Sequence, residues 1–69
     1  MPYVNIRITA GATEAQKAEL IAGTTDLLVK VLNKNPASTF VVIDEIAPEN
    51  WGAGGISVAE RNKRAAAGG

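Results

Sequence analysis

The chain contains no cysteine and no histidine. That excludes disulfide staples, Cys/His zinc sites, cysteine nucleophiles, Ser-His-Asp triads and imidazole general bases. Aromatic residues are scarce as well, with one Tyr, one Trp and one Phe. Net charge is also missing: seven basic residues balance seven acidic ones, so no overall field draws the chain to nucleic acid or to a membrane surface. No apolar run reaches the 18 or more residues of a membrane helix, and the N-terminus lacks a secretory layout, so the expected location is cytoplasmic.

What is present belongs to a folded protein, because 46% of the residues are hydrophobic and only 20% are charged. Sixty-nine residues make one domain at most. A domain of that size buries only about 60% of its unfolded surface, which leaves a lone core marginal. With disulfides and Cys/His metal sites excluded, oligomerisation is the remaining source of support. Charge is uneven along the chain: residues 57–69 carry Arg61, Lys63 and Arg64 against Glu60 alone. Three cations make a weak patch.

From Pro2 to Thr9 the residues alternate, with Val4, Ile6 and Ile8 on one face and Tyr3, Asn5, Arg7 and Thr9 on the other, the pattern of a half-buried strand. Gly11 closes it. Thr13-Glu14-Ala15-Gln16 fits a capping box, and Leu20, Ile21, Thr24, Leu27, Leu28, Val31 and Leu32 then form one apolar stripe of a helix reaching about residue 33. Asp26 and Lys30 offer an i,i+4 pair on its outer side. Gly23 costs the helix about 1 kcal/mol relative to Ala. Asn33-Lys34-Asn35-Pro36 stops the helix, since Pro disfavours helical geometry in the residue before it.

Phe40 to Ile46, β-branched and aromatic, predicts a second strand placed centrally in its sheet. A connecting helix of about 20 residues spans roughly 30 Å and returns the chain so that the two strands run parallel. Gly52-Ala53-Gly54-Gly55 with Ile56-Ser57-Val58 predicts a tight C-terminal hairpin. The fold class is therefore α+β, a β-α-β protomer with that hairpin appended. Residues 1–64 form the single domain, and residues 65–69, Ala-Ala-Ala-Gly-Gly, lack packing side chains and are expected as a flexible tail. A two-stranded sheet with one helix leaves a face and its strand edges open, so other subunits must cover them.

Few residues offer chemistry. Gly52, Gly54 and Gly55 lack the Lys-Ser/Thr that a phosphate loop needs. Alternation sends Asp44 and Glu45 to opposite faces, which favours solvated or salt-bridged roles over a carboxylate pair. Trp51 reads as a core or interface anchor before it reads as a substrate wall. Pro2 follows Met1 directly, and methionine removal would expose a secondary amine able to take and return a proton. An α-amino group titrates at about 7.7–8.0 and a secondary amine is more basic, so apolar surroundings or nearby cations must lower its pKa.

Pro2 opening a strand, Gly11, Thr13-Glu14-Ala15-Gln16-Lys17, the Val41-Val42-Ile43-Asp44-Glu45 strand and Asn50-Trp51-Gly52-x-Gly54-Gly55 together resemble the 4-oxalocrotonate tautomerase family over about residues 2–58. The resemblance implies dimers with a four-stranded sheet and a homohexamer built from three of them. It also implies proton transfer within a small unsaturated 2-oxo acid, with Pro2 as general base and then acid, and it calls for no cofactor and no metal. By position, Trp51 lines the pocket, the Thr9 backbone amide assists the substrate oxygen, and Tyr3 shares the strand parity of Thr9 as a further wall. Two departures stand out. The family's two substrate-binding arginines are Ala12 and Phe40 here, which makes the implied pocket less cationic and more apolar, with Phe40 beside the substrate. Arg7 and Arg61 are the substitutes, or else they serve interface salt bridges. The expected activity is keto–enol tautomerisation of a small unsaturated or aromatic 2-oxo acid. The alternatives are proline-dependent water addition, dehalogenase-like chemistry or carbonyl condensation, or a non-catalytic subunit of a hetero-oligomer whose partner supplies the arginines.

Overall fold

A computed structural model describes residues 1–68. Strand β1 (Tyr3–Thr9) leads through a short loop into helix α1 (Glu14–Leu32), and a 3-10 turn (Pro36–Ser38) precedes strand β2 (Phe40–Ile46). A second 3-10 turn (Pro48–Asn50) precedes the short strands β3 (Gly52–Ala53) and β4 (Ile56–Ser57), and helix α2 (Val58–Gly68) follows.

β1 and β2 pair in parallel with Tyr3 opposite Phe40, Ile6 opposite Ile43 and Thr9 opposite Ile46. Val4, Ile6 and Ile8 of β1 and Val41 and Ile43 of β2 are half-buried on the face that α1 covers. Tyr3, Asn5 and Arg7 lie with Phe40, Val42 and Asp44 on the open face and are exposed. The expected central place of β2 is not met within one chain, where the sheet has two strands and each is an edge.

The capping box forms with both arms: Gln16 N–H donates to Thr13 Oγ1 (3.1 Å) and Thr13 N–H to Gln16 Oε1 (2.9 Å). Asn33, left-handed at φ 54°, ends the helix, and its N–H donates to Val29 O (2.9 Å). Asn35 Oδ1 accepts from Ala37 N–H (3.0 Å) and starts the next turn. The face of α1 toward the sheet is narrower than the apolar stripe read from the sequence. Lys17, Thr24, Thr25, Leu28 and Val29 are half-buried, whereas Leu20, Leu27 and Val31 line a flank that the chain leaves exposed, Val31 at 67%. Asp26 and Lys30 do not pair. The ion pairs among the described residues are Arg7–Asp44, Lys17–Glu45 and Arg64–Glu60, and an exposed helix pair worth about 0.3–0.5 kcal/mol scarcely competes with solvation.

The predicted hairpin is antiparallel, with Gly52 opposite Ser57 and Ala53 opposite Ile56. Gly54 and Gly55 form its two-residue loop at φ 64° and 89°, the doubly positive geometry that such loops require and that glycine adopts without strain. Helix α2 was not expected. Ser57 Oγ caps it by accepting from Glu60 N–H (3.0 Å), and Arg64 Nε donates to Glu60 Oε1 one turn on (3.2 Å). Residues 65–68, expected as a tail, continue this helix, since alanine is the strongest helix former. Gly69 of that tail lies outside the described residues.

Among the described residues none is buried. The radius of gyration is 16.0 Å, against about 11 Å for a compact domain of this length. The accessible surface is 5068 Å², against about 4100 Å² for a compact protein of this mass. Half-buried Val and Ile deliver only part of the roughly 1.5–3 kcal/mol that full burial supplies.

Candidate active site

The open end of the sheet holds the first group of candidate residues. Phe40 N–H donates to Pro2 O (2.9 Å), which ties the residue after Met1 to the start of β2 and sets Tyr3 beside Phe40. Tyr3 is 64% exposed and Phe40 48%, so two aromatic rings flank the end of the sheet from which Pro2 enters. Met1 is 87% exposed. While Met1 is attached, the Pro2 nitrogen is an amide and has no basicity.

Thr9 stands at the other end of β1. Seven residue steps at about 3.3 Å each separate it from Pro2 by about 23 Å, too far to touch one small molecule from a single chain. The pairing geometry nevertheless suits its N–H. In an extended strand the N–H and C=O of one residue point to the same side, and Pro2 O and Ala10 N–H (to Ile46 O, 2.9 Å) are both directed at β2. The intervening parity turns the N–H groups of Tyr3, Asn5, Arg7 and Thr9 toward the free edge of β1.

Ala12 and Phe40 also lie at opposite ends. Ala12 is half-buried in the loop after Thr9, while Phe40 faces Tyr3, so substituents at these two positions in one protomer point into different places. Arg7, midway along β1, donates from Nε to Asn5 Oδ1 (3.1 Å) and lies 3.7 Å from Asp44 Oδ2, which also accepts from Asn5 Nδ2 (2.9 Å). An ion pair this exposed is worth about 0–1 kcal/mol. Trp51 and Arg61 occupy the C-terminal unit: Val58 N–H donates to Trp51 O (2.8 Å), and Arg61 Nη2 to Ala53 O (3.2 Å). One chain thus brings Pro2, Tyr3 and Phe40 together and leaves Thr9, Arg7, Trp51 and Arg61 elsewhere. Among the described residues the single protomer encloses no pocket.

Alternation separated the neighbouring carboxylates as expected. Asp44 meets Arg7 and Asn5 on the open face, and Glu45 turns under α1, where it pairs with Lys17 and accepts from Gly11 N–H (3.3 Å). Lys17 and then the Gly11 amide hold the Glu45 carboxyl below its ordinary value of 4.5. Sequence reading did not join Glu45 to Lys17, because charges on separate elements pair only once the crossover is known.

The fold defines a class: a small parallel strand–helix–strand protomer with a proline at the head of its first strand, a free β1 edge and a glycine hairpin. Residues 2–61 match the family model described as tautomerase enzyme. The chain is 61% identical over 66 residues to a probable tautomerase, K2, of Dickeya dadantii, covering 94% of this chain and 98% of that protein. It is 38% identical over 60 residues to the 2-hydroxymuconate tautomerase of Pseudomonas putida, covering 87% and 95%. The solved heterohexamer 4-oxalocrotonate tautomerase of Chloroflexus aurantiacus superposes with a TM-score of 0.82 at 32% identity, covering 87% of this chain and 97% of that one. The chain belongs to the tautomerase family, with 4-oxalocrotonate tautomerase among its relatives, and is an isomerase.

Proposed function

We propose that the protein tautomerises a small 2-oxo acid with the amine of Pro2, after Met1 is removed, as its base. The neutral amine takes a proton from the substrate to leave a conjugated enolate, and the ammonium returns the proton to a carbon of that enolate as the electron pair moves back from oxygen and the carbonyl re-forms. Nothing is oxidised or reduced. The observation that carries this reading is the Pro2 end of the sheet: a proline held by its carbonyl to Phe40 N–H, behind an exposed Met1 and beside two aromatic rings. Apolar neighbours disfavour the ammonium and so keep the amine available near neutral pH.

The Thr9 N–H is the donor for the substrate oxygen, and the 23 Å span of β1 requires that it come from a second copy. Edge pairing of β1 with an antiparallel β1 of that copy brings the Pro2 end of one strand to the Thr9 end of the other. Six identical chains are the expected assembly, which shares the six-chain count, but not the mixed composition, of the Chloroflexus relative. Trp51 and Phe40 wall the pocket, Tyr3 adds to it, and Arg7 or Arg61 meets a carboxylate. With Ala12 and Phe40 where the family has arginines, an aromatic monoacid such as an arylpyruvate is favoured over a dicarboxylate. A second reading has its own support: because a relative is a heterohexamer, a partner chain supplying both arginines would restore dicarboxylate binding.

Native mass spectrometry of the purified complex, read alongside ketonisation of the enol of phenylpyruvate, tests the proposal. The expected species has six chains of one mass, each beginning at Pro2. Pro2→Ala should lower kcat by about 10²–10⁴, the range for a lost acid–base group. Undiminished turnover in that variant, or in protein that keeps Met1, would sink the mechanism, and two chain masses would favour the hetero-oligomer.

A further inference from the structure

The geometry points to Glu45 as a positioning residue: its carboxylate clamps the loop between β1 and α1 and thereby fixes the Thr9 N–H against the substrate oxygen. This rests on the role given to Thr9 above. The loop is four residues long, from Ala10 to Thr13, and three elements converge on it. Ala10 N–H donates to Ile46 O (2.9 Å), Gly11 N–H donates to Glu45 Oε2 (3.3 Å), and Lys17, one turn into α1, pairs with Glu45 Oε1. The two peptide groups directly after Thr9 are therefore held by the last two residues of β2, and the same carboxylate ties down the start of α1.

The need for such a clamp follows from Gly11. Its φ of 139° lies where side chains are rarely tolerated, and glycine has the widest range of alternatives of any residue. Without a partner for its N–H, the loop gains conformations, and the strand end carrying Thr9 moves with it. A donor to a developing oxyanion works through its exact placement, so a shift of about 1 Å is felt in turnover. Glu45 is suited to the task. Its side chain is 30% exposed and that of Lys17 33%, so the pair is partly shielded, and the lowered carboxyl pKa keeps the acceptor ionised at every pH near neutral. The sign follows from that direction: the contribution is complete above the ordinary value of 4.5 and is lost as pH falls through the lower folded value.

The test uses the full oligomer and two independent readouts. Amide hydrogen exchange at Ala10 and Gly11 reports the clamp itself, and kinetics with the enol of phenylpyruvate report its effect. Glu45→Ala should speed exchange at Gly11 and lower kcat about tenfold with KM little changed, the signature of a displaced rather than deleted oxyanion donor. Glu45→Gln keeps an acceptor for Gly11 without the charge and should fall between Glu45→Ala and wild type; it also serves if the alanine variant does not assemble. Lys17→Met should resemble Glu45→Gln, whereas Lys17→Arg should behave as wild type. A native-mass hexamer of Glu45→Ala or Glu45→Gln with unchanged kcat, or with Gly11 exchange as in wild type, overturns the proposal. Equal losses in kcat for Glu45→Ala and for a surface variant of matched thermal stability would also overturn it, because they would reduce Glu45 to general stabilisation. Failure of the Pro2 reading is separable: Pro2→Ala would then turn over normally while Gly11 exchange still responded to Glu45.

Discussion

The strand–helix–strand body and the C-terminal unit are built by opposite strategies. In the body, residues far apart in sequence meet: Phe40 bonds Pro2, Glu45 bonds Gly11 and Lys17, and Asp44 bonds Asn5. In residues 47–68 the hydrogen bonds described close over short separations, as with Val58 to Trp51, Glu60 to Ser57 and Arg61 to Ala53. The body carries Pro2 and Thr9, the proposed base and oxyanion donor, on a frame held by crossover pairing. The C-terminal unit carries Trp51 and Arg61 on a hairpin and helix held mainly by local contacts. A frame with non-local contacts fixes geometry for chemistry, and a locally held unit can be placed by whatever it packs against.

The largest change expected from sharpening this contrast lies in the body. Ala12→Arg combined with Phe40→Arg should raise kcat/KM toward 2-hydroxymuconate by about two decades, since each charge-assisted contact supplies about 1.5–3 kcal/mol. Activity toward an arylpyruvate should fall, because Phe40 no longer walls the pocket. Steady-state kinetics of the homomeric protein decide it, and a wild-type chain that already prefers the diacid would show that other cations fill these places. The next effect belongs to the C-terminal unit. Ser57→Ala removes the cap of α2 and should cost about 1 kcal/mol, read as roughly fivefold faster amide exchange along α2 while β1 and β2 amides are unaffected. Equal acceleration in both regions would erase the distinction between them. The smallest effect returns to the body. A Cβ at Gly23 meets nothing within 4 Å in the protomer, so Gly23→Ala should raise Tm by about 4 °C through helix propensity alone. A lowered Tm would place a neighbouring subunit against that glycine.

The contrast also governs what could be read from the sequence. The body announces itself through period: Val4, Ile6 and Ile8 alternate, Thr13 and Gln16 form the box their spacing predicts, and both strands fall where the β-branched runs lie. Helix α2 has Val58 as its one large apolar residue, and its run Arg61-Asn62-Lys63-Arg64 followed by alanines and glycines looks like a tail. Yet Ser57-Val58-Ala59-Glu60 repeats the Ser/Thr-x-x-Glu start signal that was used at Thr13 with Gln, and it would have found the helix. The faces of α1 were harder, because exposed Leu20, Leu27 and Val31 are as apolar as half-buried Leu28 and Val29, and only geometry distinguishes a face turned inward from one turned outward. Pro2, Tyr3 and Phe40 were legible as candidates but not as neighbours. Their meeting, and the distance of Thr9 from them, follow from strand direction and register.

The 16.0 Å radius of gyration and the absence of any buried residue among those described have a consequence for the lifetime of the protein. In the proposed assembly, ordering each chain and joining it to its neighbours are one event, so the folded fraction rises with total concentration rather than being fixed by the sequence. A newly made chain is then most exposed to proteases when its siblings are rare. In that proposed assembly the same scarcity would also leave Pro2 without the second strand that completes the proposed site, so quantity and activity would switch on together.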